Sequence, residues 1–193
     1  VACLVGSEMC IRDSSNSGPQ FDTAASIDIS PDVYVGDVLT CSATASDLND
    51  GTITPTYEWS VNGTVIASGV SYTVDATNTD FGDNLVCTAT AIDSDNVTTI
   101  SIATVTVQNT VPTVANVVVV SDSGNNYNND TLTCSADVAD VDENIRSTEY
   151  IWMLGSNDLG TGTTLDLSTV SVMPNDVIVC EVRTLDDGSE EAE

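Results

Sequence analysis

Gly36-Asp37-Val38-Leu39-Thr40-Cys41-Ser42-Ala43-Thr44-Ala45 is the stretch that decides the fold. Leu39, Cys41, Ala43 and Ala45 recur at every second position, so on an extended strand they share one face. Thr40, Ser42 and Thr44 share the other. The Gly-Asp pair in front reads as a turn. The pattern G-D-x-L-x-C-x-A-x-A returns at Gly82-Asp83-Asn84-Leu85-Val86-Cys87-Thr88-Ala89-Thr90-Ala91. Two strands of this kind bring their cysteines together from opposite sheets.

The chain also repeats as a whole. Cys41-Ser42-Ala43 returns as Cys134-Ser135-Ala136, an offset of 93 (134 − 41). Tyr57 and Trp59 return as Tyr150 and Trp152, Cys87 as Cys180, Asp93 as Asp186 and Pro19 as Pro112, all at the same offset. No gap is needed from Asn16 to Glu193. The reading is two domains in tandem, 15–108 and 109–193, joined near Asn109–Thr113, where a proline interrupts strand pairing and stiffens the joint.

The remaining strands follow from alternation. Tyr57, Trp59 and Val61 face inward between Glu58 and Ser60; Val70, Tyr72 and Val74 form another set, and Ile100–Val107 a last β-rich run. Strands spaced by Gly, Asn and Asp turns predict an all-β sandwich. Hydrophobic residues make up 41% of the 193, and Val, Ile and Thr dominate, which suits pleated strands rather than acidic disorder.

Thirty acidic residues against three basic ones give a formal charge of −27. The three are Arg12, Arg146 and Arg183; there is no Lys and no His. Such a surface repels nucleic-acid phosphates and anionic membranes, so nucleic acid is excluded as a partner. It suits divalent cations or cationic partners, or serves solubility alone. No apolar run approaches membrane-spanning length, so no membrane insertion is expected. Catalysis by His or Lys is excluded, as are Lys–Asn cross-links. No glycine loop precedes a helix to cradle phosphate, and no insertion forms a cleft for a carboxylate pair. The chain reads as a non-enzyme.

Leu4–Ser14, LVGSEMCIRDS, matches the translation of a common sequencing adaptor over eleven consecutive residues and points to an environmental sequence assembly. Residues 1–14, with Cys3, Cys10 and Arg12, are therefore set aside as an adaptor-derived or placeholder arm. No secretory leader is visible and the end reads as cut, so a fragment or a mature form is expected.

The placement of Cys41, Trp59 and Cys87, and of Cys134, Trp152 and Cys180, resembles the immunoglobulin fold. Tyr57-Glu58-Trp59-Ser60-Val61-Asn62-Gly63 is similar, more narrowly, to the tandem immunoglobulin-like repeats of bacterial surface and extracellular proteins. Leu85 and Ile178 stand where the antibody branch has a tyrosine, so no antibody-type function is implied. The resemblance implies disulfides Cys41–Cys87 and Cys134–Cys180 and an oxidising, extracellular or cell-surface location. A zinc site is disfavoured, with no His and no close cysteine pair.

In such a sandwich the loops after the second and the next-to-last strands lie at one end. Asp47, Asn49 and Asp50 would then approach Asp93 and Asp95, and in the second repeat Asp140, Asp142 and Glu143 would approach Asp186 and Asp187. Alternating Asp and Asn oxygens are what calcium uses. In the second repeat such an ion would stiffen the joint, as in cadherin-like arrays. The alternative is solvated acidic turns. No cofactor is required. Asn62, Asn96 and Asn129 begin N-x-T sequons at turns, candidate glycosylation sites.

The counterpart of Ile100–Val107 falls at 193–200, so the second domain is expected to lack its last strand, leaving an open edge. Truncation of the assembly and a strand from another chain are competing explanations. The second implies head-to-tail strand donation between copies of the chain, building an extracellular fibre or pilus-like filament. The alternatives are a stalk segment of a long cell-surface adhesin and, with less support, a carbohydrate-binding module.

Overall fold

A computed structural model describes residues 16–28, 32–188 and 191–192. The adaptor-like arm lies outside them. The chain divides into two compact units, one of residues up to 33, 37–74 and 83–106, the other of 34–36, 75–82 and 107–193. Both sandwiches are antiparallel throughout.

In the first unit, β1 (Gln20–Asp28), β2 (Val38–Asp47) and β3 (Gly51–Ile53) form one sheet, with β6 (Ser71–Thr73) on the other side of β2. The facing sheet runs β5 (Thr64–Ser68), β4 (Thr56–Val61), β7 (Asn84–Ile92), β8 (Thr98–Thr106). The period-2 set of β2 and that of β7 meet between the sheets. Leu39, Cys41, Ala45, Leu85, Cys87, Ala89 and Ala91 are all buried, and Cys41 is bonded to Cys87. Trp59 is 0% exposed, and its indole N–H donates to the Gly69 carbonyl at 3.0 Å. That bond satisfies the polar atom such a large apolar side chain carries into a core. Between β4 and β5, Asn62 (φ 50°) and Gly63 (φ 80°) both take the left-handed region, which the tight Asn-Gly hairpin turn requires.

The second unit repeats the plan. One sheet runs β13 (Thr164–Asp166), β10 (Thr131–Ala139), β9 (Thr113–Ser121). The other runs β12 (Asn157–Thr161), β11 (Ile145–Leu154), β14 (Ile178–Asp186), β15 (Glu191–Ala192). A short 3-10 turn at Leu167–Thr169 follows β13. Leu132, Cys134, Trp152, Leu165, Leu167, Cys180 and Val182 make the core. Trp152 bonds Gly162 at 2.9 Å and Cys134 is bonded to Cys180, each the 93-offset image of the first unit.

The units differ at the last strand. β8 pairs with all of β7, from Asn84↔Thr106 to Ile92↔Thr98. Among the described residues β15 pairs with β14 only at Thr184↔Ala192 and Leu185↔Glu191. The start of the last strand is therefore present where none was expected, and among the described residues its pairing reaches Thr184.

Candidate functional site

The loops following β2 and β7 do converge in the first unit. Asp50 accepts the Ser94 N–H at 2.8 Å and the Ser94 hydroxyl at 2.9 Å. The other carboxylates are spent on the chain itself. Asp47 accepts the N–H groups of Asn49 (2.6 Å) and Asp50 (3.1 Å) and the Ser17 hydroxyl (3.3 Å). Asp93 accepts the N–H groups of Asp95 (2.9 Å) and Val97 (2.7 Å) and the Asn16 amide (2.8 Å). Burial pushes the Asp93 carboxyl up, but the Asn16 amide and the two backbone N–H groups outweigh it and hold it below the usual range. The Asn49 side-chain oxygen accepts from Ser17, and Asp95 is exposed. These residues build side-chain-capped turns that lock two loops together.

In the second unit Asp142 accepts the N–H (2.5 Å) and hydroxyl (3.2 Å) of Thr110, and wholly buried Asp186 accepts the Asn109 amide (2.7 Å). Asn144 donates to the Asn109 side-chain oxygen at 3.2 Å. Asp140 receives the Asp142 N–H on one oxygen. Its other oxygen, Oδ2, and Asn144 Oδ1 are buried and make no hydrogen bond among the described residues. Burial pushes the Asp140 carboxyl up, and the charges of Asp142 and Asp186 push the same way. Glu143 is exposed in a left-handed turn (φ 59°), and Asp187 pairs with Arg146 at the surface. Arg183 pairs with Glu181. Among the described residues no group of three or more His, Cys, Asp or Glu is arranged to hold a metal ion. Asn62, Asn96 and Asn129 are all exposed, the first two in left-handed turns, and Asn62 donates to Asp83 at 3.0 Å.

One polar centre was not legible as a site. Asp130, buried at the entry to β10, accepts the Ser121 hydroxyl (2.7 Å), the Ser123 hydroxyl and the Tyr127 N–H (2.8 Å). The two hydroxyls hold its carboxyl low, burial opposes them, and the Tyr127 N–H adds to the lowering. Ser121-x-Ser123 ahead of an acid at a strand start was the available signal.

The remaining candidate lies beside the Ile178 end of β14. A groove of about 850 Å³ opens there, floored by buried Leu132 and Leu167 and walled by Val119, Tyr127, Met173 and Ile178. Met173 is 76% exposed, and Val177 at the rim 73%. Burial along β14 is lower than along β7: Leu85 and Cys87 are both 0% exposed, whereas their counterparts Ile178 and Cys180 are half-buried and 8% exposed. On β9, Val117, Val118, Val119 and Val120 are all exposed. Four adjacent exposed valines make a continuous apolar strip.

No protein-family model and no curated protein matches the chain. A solved structure of fibronectin(III)-like modules of Clostridium thermocellum CbhA is similar over 88% of this chain and 89% of that one, at 19% identity and a TM-score of 0.28. At that level the likeness carries no argument, and the fold stands on the sheet pairing and the core described above. Among the described residues no helix is long and apolar enough to cross a membrane.

Proposed function

We propose that this chain is a non-catalytic structural module of an extracellular fibre, related to the tandem immunoglobulin-like repeats of bacterial surface proteins. In this reading the second sandwich of one subunit is completed by a strand from another. The observation that supports it is the ungapped tandem of two sandwiches, each stapled across its core by a disulfide. Strand addition at a sheet edge is the assembly mode this reading uses. The two disulfides support an oxidising compartment. Light scattering across a concentration series, with electron microscopy of the concentrated sample, tests this reading. Head-to-tail multimers are expected, and a strict monomer at every concentration overturns it.

A stalk segment of a long adhesin is the second reading. It is favoured by the ungapped 93-residue repeat, and further repeats in the source gene would establish it. A carbohydrate-binding module loses support, because Trp59 and Trp152 are fully buried and form no exposed platform.

Calcium is a separate proposal, confined to the loops of the second unit. Two buried acceptor oxygens that make no hydrogen bond among the described residues, on Asp140 and Asn144, beside buried Asp142 and Asp186, are the chemistry a hard cation relieves. Isothermal titration with calcium chloride tests it: one site per chain is expected, and no heat above dilution overturns it. Glycans on Asn62, Asn96 or Asn129 are proposed on exposure alone, and intact-mass measurement of the native protein decides.

A further inference from the structure

One sheet face of the first unit lacks the charge that marks the rest of the chain. Glu58 is the single charged residue of β4, β5, β7 and β8, in a protein with 30 acidic ones. In β7 the residues between the buried Leu85, Cys87, Ala89 and Ala91 turn outward, and β8 alternates in step with them. Across that ladder Thr88 stands opposite Ile102, Thr90 opposite Ile100 and Ile92 opposite Thr98. The isoleucines are open to water: Ile92 is 49% exposed, Ile100 61% and Ile102 60%. Val65, on β5 at the far side of the same sheet, is 57% exposed.

The fold does not impose this. At the 93-residue offset the counterparts of Thr56, Thr88 and Thr90 are Glu149, Glu181 and Arg183, so the matching face of the second unit carries charge, with Arg183 paired to Glu181. The neutral face belongs to the first unit alone. Its β-branched side chains are stiff at χ1, so ordering them against a partner costs little side-chain entropy. Isoleucine methyls set beside threonine hydroxyls give a surface that is apolar in patches and still soluble.

Charge also selects the occupant. Anionic partners meet the field of a chain with a formal charge of −27. A cationic partner gains most on the acidic loops, not on a face with one carboxylate. The same face of a second copy matches it in lack of charge and in its mix of methyls and hydroxyls. Four strands about 4.8 Å apart and averaging about 25 Å in length cover about 500 Å² of each copy. Two such faces bury about 1,000 Å² in all, the lower limit for a specific and reversible interface.

We propose that the outer face of β4, β5, β7 and β8 pairs with the same face of a second copy about a two-fold axis, with Ile100 and Ile102 at its centre. An interface of this kind closes on itself and stops at two. It is independent of head-to-tail strand donation, and in a fibre it would join subunits side by side.

Sedimentation equilibrium of the full chain tests this, from about 1 µM to about 1 mM protein. A reversible monomer–dimer equilibrium is expected. Salt should tighten it about threefold between low and high ionic strength, because screening relieves the repulsion between two acidic chains. Ile100→Glu should weaken the dimer about thirtyfold, since a two-fold interface meets each substitution twice. Ile102→Glu should do the same, and both positions face water in the monomer, so near-ultraviolet circular dichroism should be unchanged. Val141→Glu adds the same charge at an exposed position of the second unit (55% exposed) and should leave the dimer as it is. A chain that stays monomeric throughout, a dimer that both isoleucine variants leave intact, or one that Val141→Glu weakens as much, overturns the proposal. Assemblies that grow past two and survive Ile100→Glu keep the fibre and remove this face. Dimers that Ile100→Glu abolishes, in a chain that never exceeds two, keep the face and remove the fibre.

Discussion

Thr184 stands opposite Ala192 across β14 and β15 in the register that Ala91 and Thr99 hold in the first unit. Two residues of strand therefore set the register of this edge of the sheet. The same strand carries Cys180, which is more exposed than its counterpart Cys87.

The first prediction concerns that bond. Cys180 is 8% exposed and Cys87 0%, so thiolate attack reaches Cys134–Cys180 more readily than Cys41–Cys87. Under limiting dithiothreitol, alkylation and peptide mapping should show Cys134 and Cys180 modified first. Each bond closes 46 residues, so opening either removes about 4 kcal/mol in the chain-entropy model. Equal rates, or Cys41–Cys87 opening first, would overturn this order.

What was legible in the sequence was whatever period 2 and the repeat express. Leu39, Cys41 and Ala45 announced β2, and Trp59 and Trp152 fell in the cores because an indole between alternating polar residues has one dry side to turn to. The convergence of Asp50 on the loop after β7 was legible too, through the fold resemblance. What those acids do was not. Asp47 and Asp93 look the same in sequence whatever their role, and only the structure shows that they accept the N–H groups of Asn49, Asp50, Asp95 and Val97. Strand β3 escaped notice because Gly51-Thr52-Ile53 is too short to show alternation. β15 was hidden for the same reason: two residues carry no pattern, and only pairing reveals them.

A second prediction tests the core of the second unit. Trp152 is 0% exposed and bonds Gly162 through its indole N–H. Trp152→Ala leaves a cavity and an unpaired carbonyl and should cost about 3–5 kcal/mol. Urea denaturation followed by near-ultraviolet circular dichroism measures it. A loss below about 1 kcal/mol, within the range of ordinary surface changes, would place the indole outside the core.

A third prediction concerns Asp140. Burial raises its folded pKa above the unfolded one, and Asp142 and Asp186 reinforce the shift. Such a group contributes stability that is fully present below its unfolded pKa and is lost as pH rises through the folded value. Without calcium, Asp140→Asn should therefore be more stable than the parent at pH 7, with the gain vanishing near pH 3. If calcium binds there, the order reverses at saturating ion. Thermal melts with chelator and with calcium, at both pH values, read this out. A variant less stable than the parent in chelator at pH 7 refutes the assignment.

Asp130 carries the opposite sign. Hydroxyls of Ser123 and Ser121 and the Tyr127 N–H favour its charged form, and burial opposes them without prevailing, so its folded pKa lies below the unfolded one. Its contribution is present above the unfolded value, near 4, and is lost as pH falls through the folded value. Asp130→Asn keeps the size but loses the charge that three donors point at, and one of its two acceptor oxygens becomes a donor. The variant should be destabilised at pH 7, and the difference from the parent should shrink as pH drops below about 4. Other carboxylates also titrate in this range, so the readout is the difference between the two proteins in urea midpoints at each pH, not either curve alone. A difference that stays constant from pH 7 to pH 2 would mean that Asp130 acts through shape rather than charge. Substituting Ser123→Ala should reproduce part of the same pH-dependent difference, since it removes the first of the donors that hold the carboxylate ionised.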